Sequence, residues 1–395
     1  MVSKEKLVPR LKFGGFKKDE WILEKVSDLA NTTYGGGTPT TSVIEYWKGD
    51  IPWISSSDLE ENKVHNVTPS RYITKEAINI SATKLVPKNS IAIVTRVGVG
   101  KLALVPFEYT ASQDFLSISN INGNELYSVY ALYKLLQIVK NETQGTSIKG
   151  ITKDKLLDKN IYIPTNIEEQ IKIGTFFKKI DEMIQLQQSK VNKVKDIKSA
   201  YLSEIFPKEG EKYPKKRFEG FTEPWNKNKL DTLANNYDTY RIPVTASDRI
   251  PGNTPYYGAN GIQDYVEGYT HDGEYILLAE DGANDLKNYP VHYVNGKVWV
   301  NNHAHVLQGN PEVLDNRFLM YKLKTIDMEP YLVGGGRAKL NANVMMNIEL
   351  VLPNLEEQIK IGSFFKNLDN QISIEKEKLA KLEKLKQAYL NDMFV

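Results

Sequence analysis

His303-Ala304-His305 places two imidazoles two residues apart, the one spacing in this sequence that resembles a pair of metal ligands. No third ligand stands at a recognisable distance, so the stretch reads as a strand bearing one exposed and one buried histidine. Glu280-Asp281 with Asp285 could hold a hard cation, but an acidic surface loop is the commoner meaning. Catalytic motifs are missing: no G-x-G-x-x-G, no phosphate-binding G-x-x-x-x-G-K-[ST], no G-x-S-x-G, and no DPPY or NPPF of a methyltransferase. The expected site list therefore holds no catalytic residue and no metal ligand.

A different chemistry has better material. Ser, Asn, Gln and Arg can read base edges in a major groove, while Lys, Thr and backbone amides hold phosphates. Residues of these types gather in Gly-rich loops. One group is Thr38, Thr40, Ser55, Ser56, Ser57, Arg96, Lys101 and Lys149; the other is Tyr256, Tyr257, Asn260, Gln263, Asn301, Asn302, Arg337 and Lys339. Any one of them alone reads as a solvated turn residue. Two sets of polar loops together point to a two-sided target, and duplex DNA is two-sided.

The elements that must position these loops are announced by an internal repeat. IEEQIKIGTFF (167–177) returns as LEEQIKIGSFF (355–365), and the ungapped pair 167–206 and 355–394 shares 19 of 40 residues. Each copy follows a proline, contains none, and is dominated by helix-forming residues. Apolar positions recur at 4-3-4-3 spacing: Ile173, Phe177, Ile180, Ile184, Val191 and Val194 in one copy, and Ile361, Phe365, Leu368, Ile372, Leu379 and Leu382 in the other. That is a heptad seam, so the two helices are expected to pair. About 38 residues make a rod of roughly 57 Å. The 11 residues between Phe206 and Phe218 reach about 36–40 Å at most, too short for a parallel return, so the pairing is expected to be antiparallel. A shorter repeat, PRLKFGGF (9–16) and PKKRFEGF (214–221), precedes Trp21 and Trp225.

The order is thus motif, domain, helix, twice over. The expected fold class is α+β: two pseudo-two-fold-related domains separated by a pair of long antiparallel coiled-coil helices. The segments are 1–20, an N-terminal motif; 21–166, the first recognition domain; 167–206, the first spacer helix; 207–224, a linker with the repeated motif; 225–354, the second recognition domain; and 355–395, the second spacer helix. SIAIVT (90–95) with KLALV (101–105) reads as a hairpin, and so does VHYV-NG-KVWV (291–300). ELYSVYALYKLLQIV (125–139) has helical spacing, and LYKL (132–135) matches MYKL (320–323).

With 395 residues, no cysteine and a net charge of +2, the chain predicts two or more domains, no disulfides or thiolate metal sites, and a cytoplasmic setting without a membrane span. A tight solitary DNA binder usually carries a basic excess. Here the second insert, 221–354, carries −5, so strong DNA binding by the chain alone is not expected.

P-x-[IL]-EEQ-x-KIG-x-FF opening a long helix, AYL closing it, and F-x-GF…W before each domain resemble the specificity subunit of type I restriction–modification systems. GGGTP (35–39) with IPWISSSDL (51–59), and PYYGANG (255–261) with NNHAHVL (301–307), resemble common forms of its two target-recognition domains. The resemblance implies a non-catalytic subunit that reads a split, asymmetric site in double-stranded DNA. It also implies two methyltransferase partners that methylate adenine N6 with S-adenosylmethionine, and two restriction subunits that use ATP and Mg2+; this chain itself would bind no cofactor. From the residues alone, a coiled-coil adaptor that never touches DNA stays open, and a self-sufficient nuclease or methyltransferase is disfavoured by the missing motifs.

Overall fold

A computed structural model describes residues 8–96, 98–143, 150–334 and 338–395. Compactness divides the chain differently from the segments read in the sequence. One unit ends at Gln188 and is completed by Glu377–Val395, and the other is Ser189–Lys376. Each long helix is therefore shared, with one part in either unit.

In the first unit the order is β1 (Trp21–Lys25), β2 (Ala30–Gly35), β3 (Ile51–Ile54), β4 (Arg71–Ile73), α1 (Lys75–Ile80), β5 (Ser90–Val94), β6 (Leu102–Val105), β7 (Thr110–Ala111), β8 (Phe115–Ile121), α2 (Glu125–Thr143), α3 (Lys153–Leu157) and β9 (Asn160–Pro164), leading into α4 (Ile167–Ile205). A four-stranded sheet runs β2-β8-β5-β6, a three-stranded one β4-β3-β7, and β1 closes on β9. The hairpin expected over 90–105 forms, with Ser90 opposite Val105. One face of the larger sheet packs α2, through Tyr127, Tyr130 and Leu132, against the start of α4. The other face packs the smaller sheet through Ile54, Val94 and Phe115.

The second unit runs β10 (Asn226–Lys229), α5 (Leu230–Leu233), β11 (Ala234–Asn236), β12 (Pro251–Gly258), β13 (Gly261–Val266), β14 (His271–Ala279), β15 (Val291–Val300), β16 (Ala304–Gly309), α6 (Asn316–Leu323), β17 (Leu332–Val333), β18 (Lys339–Leu340), α7 (Ala342–Met346) and β19 (Glu349–Leu352), then α8 (Leu355–Met393). Its main sheet is β11-β16-β14-β15-β12-β13. The hairpin expected at Asn295-Gly296 is corrected. β15 runs straight through, because Gly296 at φ +93° lies opposite Gly273 at φ +149° in β14. Two glycines in conformations closed to other residues let both strands distort together, and the ladder overrides the local turn signal.

The two units share one frame. Trp21 faces Pro164 across β1–β9, and Asn226 faces Leu352 across β10–β19, so each insert is clasped at its ends by a short antiparallel pair. β2 pairs with β8 as β11 pairs with β16, and β3 lies parallel to β7 as β12 lies parallel to β15. The helix following the sheet is 19 residues in α2 and only 8 in α6.

α4 and α8 each have 39 residues. Asn166 accepts a hydrogen bond from the Glu168 amide, and Asn354 one from the Glu357 amide, both at 2.9 Å, capping helices whose first turns are acidic. In the first unit the start of α4 meets the end of α8: Phe176 lies edge-on to Tyr389 at 5.0 Å, and Phe177 reaches Phe394 at 5.5 Å. In the second unit the end of α4 meets the start of α8: Tyr201 lies edge-on to Phe364 at 5.1 Å, and Phe206 stacks on Phe365 at 5.9 Å. The helices are antiparallel. Of the seam positions, Ile173, Phe177, Ile180, Val191, Ile361, Phe365 and Leu368 are buried, whereas Ile184, Val194, Ile372, Leu379 and Leu382 are half-buried. Ile173, Phe177 and Ile180 belong to the core that includes α2, and Ile361, Phe365 and Leu368 to the core that includes α6, so these six also anchor the domains.

Candidate nucleic-acid interface

Each domain is locked to the helices by the same set of repeated residues. Gln170 donates to the Pro164 carbonyl at 2.9 Å and accepts from the Asn124 amide at 2.9 Å. Gln358 does the same with the Pro353 carbonyl at 2.9 Å and the Asp315 amide at 3.1 Å. The short motif supplies a cation to the glutamate beside it. Lys12 stands 3.3 Å from Glu169, and Arg217 grips both oxygens of Glu357 at 2.7–2.8 Å. Both carboxylates are buried, at 0% and 1% exposure. Burial pushes the Glu169 carboxyl up, against the pull of Lys12. Lys172 lies over Phe13 and Phe16, as Lys360 lies over Phe218 and Phe221.

About three turns further along, Asp181 accepts from Tyr130 at 2.7 Å and pairs with Lys386 at 2.6 Å. Asp369 accepts from Tyr321 at 2.6 Å and pairs with Lys198 at 2.5 Å. Burial beside these carboxylates pushes both phenols well up. The glycine of each repeat lets the domain helix dock. A Cβ on Gly174 would lie 2.6 Å from Leu126 Cβ and 2.7 Å from the Tyr127 nitrogen, and one on Gly362 would lie 2.7 Å from Asp315 Oδ1.

The candidate contact residues lie apart from this frame. In the first unit they gather around the chain that follows β7. Ser112 donates to the Ile54 carbonyl at 2.9 Å, and Gly37 donates to the Ala111 carbonyl at 2.8 Å. Thr38 bonds Gln113 through its hydroxyl, and Lys101 donates to the Ser56 carbonyl at 3.0 Å. Thr38, Thr40, Ser57 and Arg96 are exposed. Ser55 is half-buried, with its amide and hydroxyl both bonded to Asp58 at 2.7 and 2.8 Å. Lys149 lies outside the described residues.

In the second unit two candidates are corrected. Tyr256 is 1% exposed, its hydroxyl bonded to Val244 and its ring stacked on Trp299. Asn301 is 4% exposed; its amide donates to the Tyr257 carbonyl at 3.1 Å, and its side chain accepts from the His303 amide at 2.8 Å. Both have become interior braces because strand pairing turns them inward. Tyr257 is half-buried beside a 270 Å³ cavity shared with His292, Arg317 and Lys366. Asn260 latches the β12–β13 turn to Gly282 and Asn284, each at 2.9 Å. Gln263 and Asn302 are exposed, Lys339 pairs with Glu280 at 2.9 Å, and Arg337 lies outside the described residues.

The two histidines part company. His303 bonds Asp281, while buried His305 bonds Asp238 through Nδ1 and the Leu340 carbonyl through Nε2. Asp238, Glu280 and His305 converge closely enough to hold an ion. Arg241 already sits 2.6 Å from Glu280, and both ring nitrogens of His305 are occupied, so protein cations fill the place of a metal. Burial pushes the Asp238 carboxyl up, but the bond and charge of His305, the Val306 amide and Arg241 outweigh it and hold it below the usual carboxylate range. Asp285 accepts from the Lys287 and Asn288 amides and closes a turn.

Residue types alone missed two stacked arginines. Arg71 lies 5.6 Å from the Trp47 ring and 6.0 Å from that of Trp53, and Arg249 lies 4.2 Å from Tyr256. The tryptophans of IEYW (44–47) and IPW (51–53) were the available signal.

Comparisons agree with this architecture. The model of the type I restriction modification DNA specificity domain matches twice, over residues 18–196 and 222–384. A putative type I restriction enzyme specificity subunit of Haemophilus influenzae is 47% identical over 146 residues, 37% of this chain and 37% of that protein. The MjaIX specificity subunit of Methanocaldococcus jannaschii is 30% identical over 44% of this chain and 40% of its own length, so the chain matches less than half of either relative. The EcoprrI specificity subunit of Escherichia coli is 25% identical over 89% of this chain and 87% of its own length. The crystal structure of a type I restriction-modification S subunit from M. genitalium shares the fold, with a TM-score of 0.67, 17% identity, 98% of this chain and 99% of that one. Among the described residues no helix is long and apolar enough to cross a membrane. With the same frame built twice and both halves matched by one model, the chain belongs to the type I restriction modification DNA specificity family.

Proposed function

We propose that this chain is the DNA-specificity subunit of a type I restriction–modification complex. Each domain reads one half of a bipartite, asymmetric DNA site. α4 and α8 set the separation of the half-sites and dock two methyltransferase subunits, with two restriction subunits completing the assembly. S-adenosylmethionine, ATP and Mg2+ belong to those partners, and this chain contributes recognition without catalysis.

The observation that carries the reading is the contrast between frame and loops. The contacts that lock domain to helix recur in both units, with Gln170 accepting from the Asn124 amide as Gln358 accepts from the Asp315 amide. The loops around Thr38 and Asn260 differ in sequence and in bonding. A constant frame with two unlike reading surfaces suits a site whose halves differ. The near-zero net charge fits a subunit whose DNA clamp is completed by partners.

The test is methylation mapping of DNA from cells carrying the full system, beside a variant in which residues 21–166 are replaced by those of another family member. A split site in the first case, with one half altered in the second, is expected. Methylation without a defined sequence would overturn the reading, and a swap that alters both halves would overturn the division of labour.

A further inference from the structure

Resting on that reading, we infer that Arg71 reads a guanine in the half-site of the first domain. The three-stranded layer β4-β3-β7 differs from its counterpart in the second unit, where β12 and β13 belong to the six-stranded sheet. The strand after β3 begins at Arg71, after a connection of sixteen residues, whereas β13 follows β12 after a two-residue turn. Arg71 stands opposite Trp53 in the β3–β4 ladder. Trp53 and Trp47 meet edge to face at 5.0 Å, and the guanidinium lies against both rings. The two indoles also fix the candidate loop: Trp53 Nε1 donates to the Gly37 carbonyl at 3.0 Å, and Trp47 Nε1 to the Thr40 carbonyl at 3.3 Å. One aromatic pair thus orients both the arginine and the Thr38–Thr40 loop.

Arg71 is exposed, and among the described residues no carboxylate pairs with it. Its surroundings form an open cleft of about 490 Å³ lined by Thr41, Trp47, Lys48, Gly49, Ser70 and Tyr72, with no acidic residue. Arg249 makes the contrast. It covers Tyr256, the strand position equivalent to Trp53, but it is already held by the Val244 carbonyl and by Asp264 at 3.5 Å. An aromatic-stacked guanidinium with its fork unengaged loses little freedom on binding. The planar fork matches the paired acceptors O6 and N7 of guanine in a fixed geometry, where a lysine ammonium would act as a mobile point charge and discriminate less.

The test uses the full chain with the modification subunit of its system, in a host free of other adenine methylation. Sites methylated by the native complex are compared with those of Arg71→Lys and Arg71→Gln. In both variants one G·C position of the first half-site should relax, with discrimination there falling roughly 5- to 150-fold, while the second half-site is unchanged. An intact second half-site reports that the variant is folded and assembled. Unchanged sites in both variants, or a uniform loss over all sequences as a phosphate contact would give, overturns the inference. A native complex without a defined site would instead sink the functional reading beneath it.

Discussion

Glu357 and Glu169 occupy the same place in the repeat, yet two guanidinium nitrogens of Arg217 grip the first and one ammonium of Lys12 faces the second. The two units thus solve one problem, a buried carboxylate at a helix start, with unequal security. The frame tolerates that difference because the charge is compensated in both. What it keeps constant is geometry: a glutamine bridging strand end and domain helix, a glycine at the docking face, and an aspartate holding a tyrosine and a lysine. The layers carrying the candidate reading loops keep no such identity.

The comparison can be broken first at the ion pairs. Arg217→Met leaves Glu357 charged and buried without its fork. A loss of about 3–5 kcal/mol is expected in the second unit, read by hydrogen exchange at the start of α8. Lys12→Met should cost less at the start of α4, because the Glu169 carboxyl is already pushed up and takes a proton more readily. Equal losses would show that the two clamps are equivalent after all.

The glycines give a smaller effect. Alanine at Gly174 meets the Leu126 Cβ and the Tyr127 nitrogen, neither of which can swing away, so a net loss of about 2 kcal/mol is expected despite the better helix propensity. At Gly362 the nearest backbone atom is farther, the Phe318 nitrogen at 3.1 Å, but Asp315 Oδ1 at 2.7 Å would have to give way while capping that same amide, so the loss should be only somewhat smaller. A greater loss at Gly362 would reverse the order.

Lys134 and Lys322 occupy matching positions in α2 and α6, but Lys322 is buried and lies 5.8 Å over the Phe206 ring. Burial pushes its ammonium down to about 8. A lysine depressed in the folded state binds fewer protons there than in the unfolded chain. Second-unit stability should therefore rise with pH between about 8 and the ordinary lysine value near 10.4. Lys322→Met should remove that slope and add about 1 kcal/mol at pH 7, the relief of burial being partly offset by the lost contact with Phe206. An unchanged slope would place the titration elsewhere.

The smallest effect concerns Glu169. Its raised carboxyl binds a proton more readily folded than unfolded, so first-unit stability should increase as pH falls from neutral through the folded-state value. Glu169→Gln should flatten that dependence, as followed by hydrogen exchange at the start of α4 between pH 5 and pH 7.

The rods, their length and their direction were legible because helix propensity, a proline stop, a 3.5-residue period and the reach of an 11-residue linker are properties of the chain itself. The β5–β6 hairpin was legible for the same local reason. Asn295-Gly296 misled because a glycine in the partner strand, 23 residues earlier, gave β15 a way to continue. Among the candidate contacts, Thr38 and Gln263 stayed at the surface while Tyr256 and Asn301 turned inward, and residue type could not separate them. Arg71 was passed over because its value lies in two rings far from it in sequence.

By itself the amino-acid order determined that this protein is one plan written twice, since repeated residues demand repeated contacts. The tertiary structure alone decided which polar side chains face outward, which carboxylates are held by protein cations, and where a guanidinium is left unpaired. Those outcomes depend on burial and on partners brought together by strand pairing, and no local stretch of sequence contains them.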